Sequence, residues 1–313
     1  PTWTLGEISP FGQLKSSKIH ALLNDKQGNL WLGLYMRGLF MIPKSTYGFR
    51  PVNLYANNDS ANGGVCVTSI LRSQNGELWV GSDGGGLYLI SGNNKILNFS
   101  KHNSQLTNNS IMAMVEDKRG TIWIATYLGG LYTLAAGQKQ IVPYSKLHDM
   151  KLSCLAYDKL QDILYVGSLG NGVKAISLST NEIISITEED TPFWTFTLYL
   201  NGVGDLWMGT AYGLYYYDNA IKKMQEINMP KRELKTQINA CCQRGDTLWE
   251  GTNRGLIRYD VKNGQGKRYT RSDGLPCDVI ETLQKTHAGD DWIGTLNGLS
   301  CLTPSTGLFK NYY

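Results

Sequence analysis

Hydrophobic residues along this chain fall into short runs that alternate or cluster over four to six positions, with glycine-bearing turns between them. That is the period of strands. No long stretch keeps the 3.6-residue period of an amphipathic helix. Ile19 to Leu23, Val67 to Leu71, Ile111 to Val115 and Ile238 to Cys242 read as apolar strands. The first three lead into the turns Lys26-Gln27-Gly28-Asn29, Gln74-Asn75-Gly76-Glu77 and Lys118-Arg119-Gly120-Thr121. Glycine and asparagine tolerate the positive φ that tight hairpins require.

After each turn the same tripeptide returns. Trp31-Leu32-Gly33 recurs as Trp79-Val80-Gly81, Trp123-Ile124-Ala125, Tyr165-Val166-Gly167, Trp207-Met208-Gly209, Trp249-Glu250-Gly251 and Trp292-Ile293-Gly294. The spacings are 48, 44, 42, 42, 42 and 43 residues, and six of the eight tryptophans hold the anchor position. A second signature follows each anchor: Gly38-Leu39, Gly86-Leu87, Gly130-Leu131, Gly172-Val173, Gly213-Leu214, Gly255-Leu256 and Gly298-Leu299. A more polar strand completes the unit, as at Lys95–Phe99, Lys223–Ile227 and Gly266–Tyr269. Four antiparallel strands in some 42 residues is the size of one propeller blade. The expectation is an all-β chain, a single seven-bladed β-propeller of four-stranded antiparallel blades over residues 1–313. A twisted four-stranded sheet cannot bury both its faces alone; stacked blades can, and an anchor indole is large enough to fill the space between them. The small residue two positions later lets backbones approach.

Seven blades need seven outer strands, but Thr2–Leu5 and Leu308–Tyr312 make eight. One end is therefore expected to close blade seven as a clasp, with the other a spare from a neighbouring domain.

Composition narrows the reading. A hydrophobic content of 42% supplies a large core, and 35 glycines against nine prolines suit many short strands. A net charge of +4 without a charge run gives no sign of nucleic-acid binding or direct membrane contact. No apolar stretch reaches membrane-spanning length. The Pro-Thr-Trp start lacks an initiator Met and a signal-peptide pattern, so a mature or excised fragment is expected. None of the six cysteines forms a C-x-x-C pair, and most are expected to be free buried apolar residues. Adjacent Cys241 and Cys242 should face opposite sides of their strand. His20, His102, His148 and His287 lack metal-binding spacing, and no nucleophile elbow or phosphate-binding glycine loop occurs. No cofactor, metal or catalytic residue is expected. The acidic cluster Glu188-Glu189-Asp190 reads as a solvated turn.

The unit I-x-x-[IL]-x-x-[DS]-x-x-G-x-[LI]-W-[ILV]-G-[TS]-x-x-G-L-[YF] resembles the two-component regulator propeller repeat. Val67–Tyr88 and Ile111–Tyr132 match it closely, and Asp273-Gly274-Leu275-Pro276 resembles that family's linker before the seventh unit. Unit four departs from it with Tyr165 and Gly172-Val173-Lys174, and unit six with Glu250 in an apolar place. The resemblance implies a non-catalytic periplasmic sensor domain of an inner-membrane-anchored two-component protein, sensing glycans. It implies an oligosaccharide ligand, partner propeller and β-sandwich domains in the parent chain, and a homodimer. An interaction propeller without its own ligand, or a polysaccharide-acting enzyme, are the alternatives.

Ligand chemistry is expected in the hairpins after the anchors. Tyr35, Tyr127 and Tyr212 have rings that stack on sugars; Arg37 and Arg254 pair with carboxylate or sulfate; Asp83, Asn171, Asn253 and Asn297 bond hydroxyls. Tight turns alone also select Asn and Asp. Trp194, outside the anchors, is either a ligand platform or a core residue. The step from anchor glycine (or Ala125) to second glycine is five residues in units one to four and four in units five to seven, which predicts a lopsided ring of hairpins.

Overall fold

The computed structural model describes residues 17–25, 28–42, 50–52, 54, 65–91, 95–148, 150–187, 193–227, 236–286, 290–303 and 306–312. Seven sets of four antiparallel strands follow each other in chain order, each set side by side in sequence. Their first strands are Ile19–Asn24, Cys66–Arg72, Ile111–Glu116, Leu152–Asp158, Phe193–Leu200, Ile238–Arg244 and Ile280–Lys285. Each of these strands contacts the first strands of the blades on either side, and the seventh contacts the first. The first strands therefore surround the axis, and the ring is closed.

The core is divided among the seams. Seven hydrophobic clusters each combine residues from two adjacent blades, including one shared by blades seven and one. Every anchor ring sits in the cluster facing the following blade: Trp31 with Val67, Trp79 with Ile111, Tyr165 with Met208, and Trp292 against blade one. The small anchor residue explains how closely the seams pack. A Cβ on Gly33 would lie 2.4 Å from Val67 Cγ1, and one on Gly251 would lie 2.6 Å from Ile280 Cγ2. Each blade sets a fully buried residue near the start of its first strand at this place, such as Ile19, Val67, Ile111 or Ile280. Burying an indole of about 200 Å² is worth on the order of 5 kcal/mol. Single backbone hydrogen bonds also span seams, as from Gly38 N–H to the Val65 carbonyl. Each contributes only about 1 kcal/mol net, so packing rather than hydrogen bonding holds the blades together.

Blades four and five are the exception. The second strand of blade four, Ile163–Gly170, overruns its neighbours and pairs Leu169 with Trp194 and Gly170 with Phe193, fusing the two blades into an eight-stranded sheet.

Of the two ends expected to close blade seven, the C-terminal one does so, as that blade's own fourth strand. Leu308–Tyr312 is blade seven's own outer strand, and Arg50–Val52 is that of blade one. Among the described residues no strand from one end joins a blade at the other. Blade seven instead reaches blade one by side-chain packing and by Gly298 N–H donating to the Ser17 carbonyl at 3.1 Å. Thr2–Leu5 lies outside the described residues, as do Trp3, His287 and Glu188-Glu189-Asp190.

Helix is limited, among the described residues, to one 3-10 turn at Arg271–Asp273, in the linker whose Leu275 packs into the seam between blades six and seven. No helix there is long and apolar enough to cross a membrane. All six cysteines are free thiols. Cys241 lies in the seam with blade five and Cys242 in the seam with blade seven, the opposite faces that adjacent strand positions require. Glu250 is fully buried where an apolar residue stands in other units.

Candidate functional site

The hairpins joining second and third strands and the lead-ins to the first strands share one face, tied together by backbone hydrogen bonds. Tyr35, Tyr127 and Ala211 donate to the carbonyls of Lys18, Ser110 and Trp194. The lopsidedness read from the glycine spacing is present: Leu34 pairs with Gly38 across three turn residues, whereas Thr252 pairs with Gly255 across two.

Every predicted site residue lies on this face. Tyr35 and Arg37 are exposed in blade one. Asp83, at the end of the second strand of blade two, accepts the Ser110 hydroxyl at 2.5 Å. Tyr127 is half-buried and bridges to Lys151; Asn171 is exposed and bridges to Phe193. Tyr212, Asn253, Arg254 and Asn297 are exposed. Their turns are held by hydroxyls one or two residues back, as Thr252 accepts the Arg254 N–H at 2.9 Å and Thr295 the Asn297 N–H at 3.1 Å. The residues stand in separate hairpins around all seven blades, so they share a face without being gathered into one pocket. Of the two readings for Trp194, the core one fails: the side chain is 47% exposed beside Gly170, on the edge where blades four and five join.

Sequence reasoning missed two features. The first is a crown of exposed apolar side chains, to which Met36, Leu128, Met150 and Leu296 contribute along with Tyr35, Trp194 and Tyr212. Met36 and Leu128 hold φ of 57° and 61°, in the left-handed region that bulky residues avoid. Gly84 and Gly170 fill the equivalent place in blades two and four. Two blades thus carry a strain of about 1–2 kcal/mol each where glycine would carry none. What they gain is an apolar side chain about half exposed, 49% for Met36 and 47% for Leu128. Strain of this kind concentrates where it serves a function.

The second is a ring at the mouth of the axis. In all seven blades the pairing of first and second strands slips by one residue near this face, leaving a bulge. The bulged residues are His20, Thr68, Met112, Ser153, Phe196, Asn239 and Glu281. Each is the residue left without a partner at its bulge, on the strand that borders the axis. Thr68, Ser153 and Asn239 donate to carbonyls of the following blade, those of Ile111, Thr195 and Ile280. Glu281 pairs with Lys18 at 3.3 Å. The only signal for this ring was position, one residue after the fully buried residue that faces the small residue of the preceding anchor, because the residue types share no chemistry.

The two-component regulator propeller family matches the sequence at residues 13–35 and 105–128. These segments include the first and second strands of blades one and three, with the anchors Trp31 and Trp123. Two segments of the chain thus match the two-component regulator propeller repeat. Solved structures extend the likeness in fold. The repeats overlay the extracellular domain of the putative hybrid two component system BT3049 from B. thetaiotaomicron with a TM-score of 0.51 and 16% identity, over 92% of this chain and 52% of that one. They overlay catalytically inactive virginiamycin B lyase from Staphylococcus aureus with a TM-score of 0.72 and 13% identity, over 92% of this chain and 95% of that one. A YCF48 structure bound to D1 peptide gives a TM-score of 0.69 at 12% identity, over 92% and 91%. This chain spans about half the length of the extracellular domains from B. thetaiotaomicron that it matches. No curated protein matches it.

Proposed function

We propose that this propeller is a non-catalytic recognition domain of a two-component signalling protein, displayed in the periplasm or outside the cell, that takes an oligosaccharide on its hairpin face. The observation that carries the reading is the strained pair Met36 and Leu128, held half-exposed where glycine closes the same turn elsewhere. Sugars present flat C–H faces edged by hydroxyls. The rings of Tyr35, Trp194 and Tyr212 suit the faces, and Arg37, Asp83, Asn171, Asn253, Arg254 and Asn297 suit the edges. The repeat family supplies the signalling half of the reading.

The test is a double variant, Met36→Gly and Leu128→Gly, titrated by calorimetry with a panel of neutral oligosaccharides. Relief of strain should leave stability unchanged or raised by about 1 kcal/mol, while affinity falls at least tenfold. Unaltered affinity, or no binding by the wild type, would defeat the proposal. A change of oligomeric state on sedimentation without loss of sugar binding would assign the crown to a protein partner instead.

A further inference from the structure

On the face opposite the hairpins, a cleft of about 80 Å³ opens in the seam between blades six and seven. Blade six lines it with two adjacent cross-strand pairs, Arg244 with Thr247 and Trp249 with Arg258. Residues two apart on a strand share a face, and directly opposed side chains stand about 5 Å apart at Cβ. All four therefore leave the sheet on one side, toward Leu302 and Gly307 of blade seven. Tyr269, on the fourth strand of blade six, also lines the cleft. Its ring lies 5.9 Å from that of Trp249 and 4.6 Å from the ammonium of Lys267.

The polar side chains that line this cleft are donors. Arg244 gives one N–H to Asp291 at 2.7 Å, yet its side chain stays 39% exposed. Arg258 is exposed and has no ion-pair partner among the described residues. The indole N–H groups of Trp31, Trp123 and Trp207 each reach a side-chain oxygen. That of Trp249 makes no hydrogen bond among the described residues, and unlike that of Trp79 it is not shut away from solvent. The Thr247 hydroxyl completes the set. The carboxylates nearby are engaged elsewhere. Asp291 faces Arg244, and Asp260 caps its own turn by accepting from Lys262 and Asn263. Arg244 cancels Asp291, and Arg258 with Lys267 outweighs Asp260 by one positive charge. A donor-lined cleft of that sign selects an anion. The space is roughly that of three waters in the liquid, so it admits one small group rather than a sugar ring. Four donor side chains suit the four oxygens of a tetrahedral oxyanion better than the two of a carboxylate, and the planar arginine fork matches its edges.

We infer that the seam between blades six and seven holds a binding site for one tetrahedral oxyanion, sulfate or phosphate, taken by Arg244, Thr247, Trp249 and Arg258. The site lies on the face away from the hairpins and stands whether or not an oligosaccharide binds there.

Protein labelled with ¹⁵N-tryptophan gives the readout through its indole N–H resonances, that of Trp249 being assigned by its loss in Trp249→Phe. The probes are sodium sulfate, sodium phosphate, glucose 6-phosphate and sodium acetate, each compared with sodium chloride at equal ionic strength. Sulfate or phosphate should move the Trp249 resonance saturably and leave that of Trp123 in place. Arg258→Gln, a change at an exposed position, should weaken the ion at least tenfold. Should that variant not fold, the wild-type comparison with chloride decides alone. A shift that chloride reproduces would be screening and would overturn the site, as would a silent Trp249 or undiminished affinity in Arg258→Gln. Acetate bound more tightly than sulfate and phosphate would overturn the tetrahedral assignment. Glucose 6-phosphate bound more tightly than phosphate supports an oxyanion carried on a larger molecule, and the reverse order supports the free ion.

Discussion

In blade three the carboxylate of Asp117 takes three donors. Its Oδ1 accepts the N–H groups of Arg119 and Thr121, and its Oδ2 accepts the indole N–H of Trp123 at 3.0 Å. Blade one repeats the arrangement with Asp25 and Trp31. Blade four keeps the turn but changes the ring. Asp158 Oδ1 still accepts two backbone N–H groups, from Leu160 and Gln161, yet the anchor is Tyr165, whose hydroxyl is engaged by Asn219. Asp158 Oδ2 is left buried without a partner. Blade two shows the reverse defect. Ser73 stands in place of the aspartate, and the N–H of Trp79, a ring buried to 1% exposure, has no acceptor. That ring lines a cleft of about 220 Å³ between blades two and three, on the face opposite the hairpins. Turn aspartate and anchor indole are thus two halves of one device; blades two and four, each missing one half, keep their fold but carry a buried orphan, whereas blade five, with Asn201 at the turn, sends its indole N–H to Gln243 of blade six at 3.0 Å.

The sharpest way to break this comparison is to remove the carboxylate from both blades. Asp117→Ala should destabilise the protein by about 3 kcal/mol, because it strands two backbone donors and an indole. Asp158→Asn, which keeps the Oδ1 acceptor and removes an orphaned oxygen, should cost less than about 1 kcal/mol. Urea unfolding of the two variants side by side measures the contrast; equal losses would refute it. The second prediction concerns the seam between these blades. Arg119, on blade three, donates to Asp162 of blade four and, against an opposing effect of burial, holds its carboxyl down at about 2. A carboxyl depressed on folding stabilises fully above its unfolded value near 3.9 and loses that contribution as pH falls toward 2. Wild type should therefore exceed Asp162→Asn in stability above about pH 4, and the gap should shrink through that window. A gap independent of pH would count against the pairing. The smallest effect is a repair. Ser73→Asp should return an acceptor to Trp79, raising stability by up to about 1 kcal/mol, and should move its indole proton resonance toward those of Trp31 and Trp123. A drop in stability would show that this turn cannot hold a buried carboxylate.

The seven-fold architecture was legible because its cause is repeated seven times. Each anchor ring fills a seam and each small residue after it admits a neighbour, so the Trp-x-Gly pattern is a direct record of packing. The partnership of Asp25 with Trp31 and of Asp117 with Trp123 is written six residues apart in the sequence, but spacing alone does not say that a turn carboxylate reaches the next strand's indole. The face bearing the candidate site was legible from hairpin positions, since strand order fixes which loops share an end. The axis ring was not, because a bulge is defined by backbone register, and His20, Thr68, Phe196 and Glu281 have no property in common. Nor could the exposure of Trp194 be read, because it depends on blade four's second strand running long enough to meet blade five.

The manner in which blade seven meets blade one has a topological consequence. Each sector of the ring is one unbroken stretch of chain, and the last joins the first through the same kind of contact that joins every other pair except blades four and five. The fold has no privileged starting point. A circularly permuted polypeptide beginning at Thr236, with its former ends linked, would contain the same seven sectors in the same cyclic order, and whole sectors could be gained or lost by a single in-frame duplication or deletion.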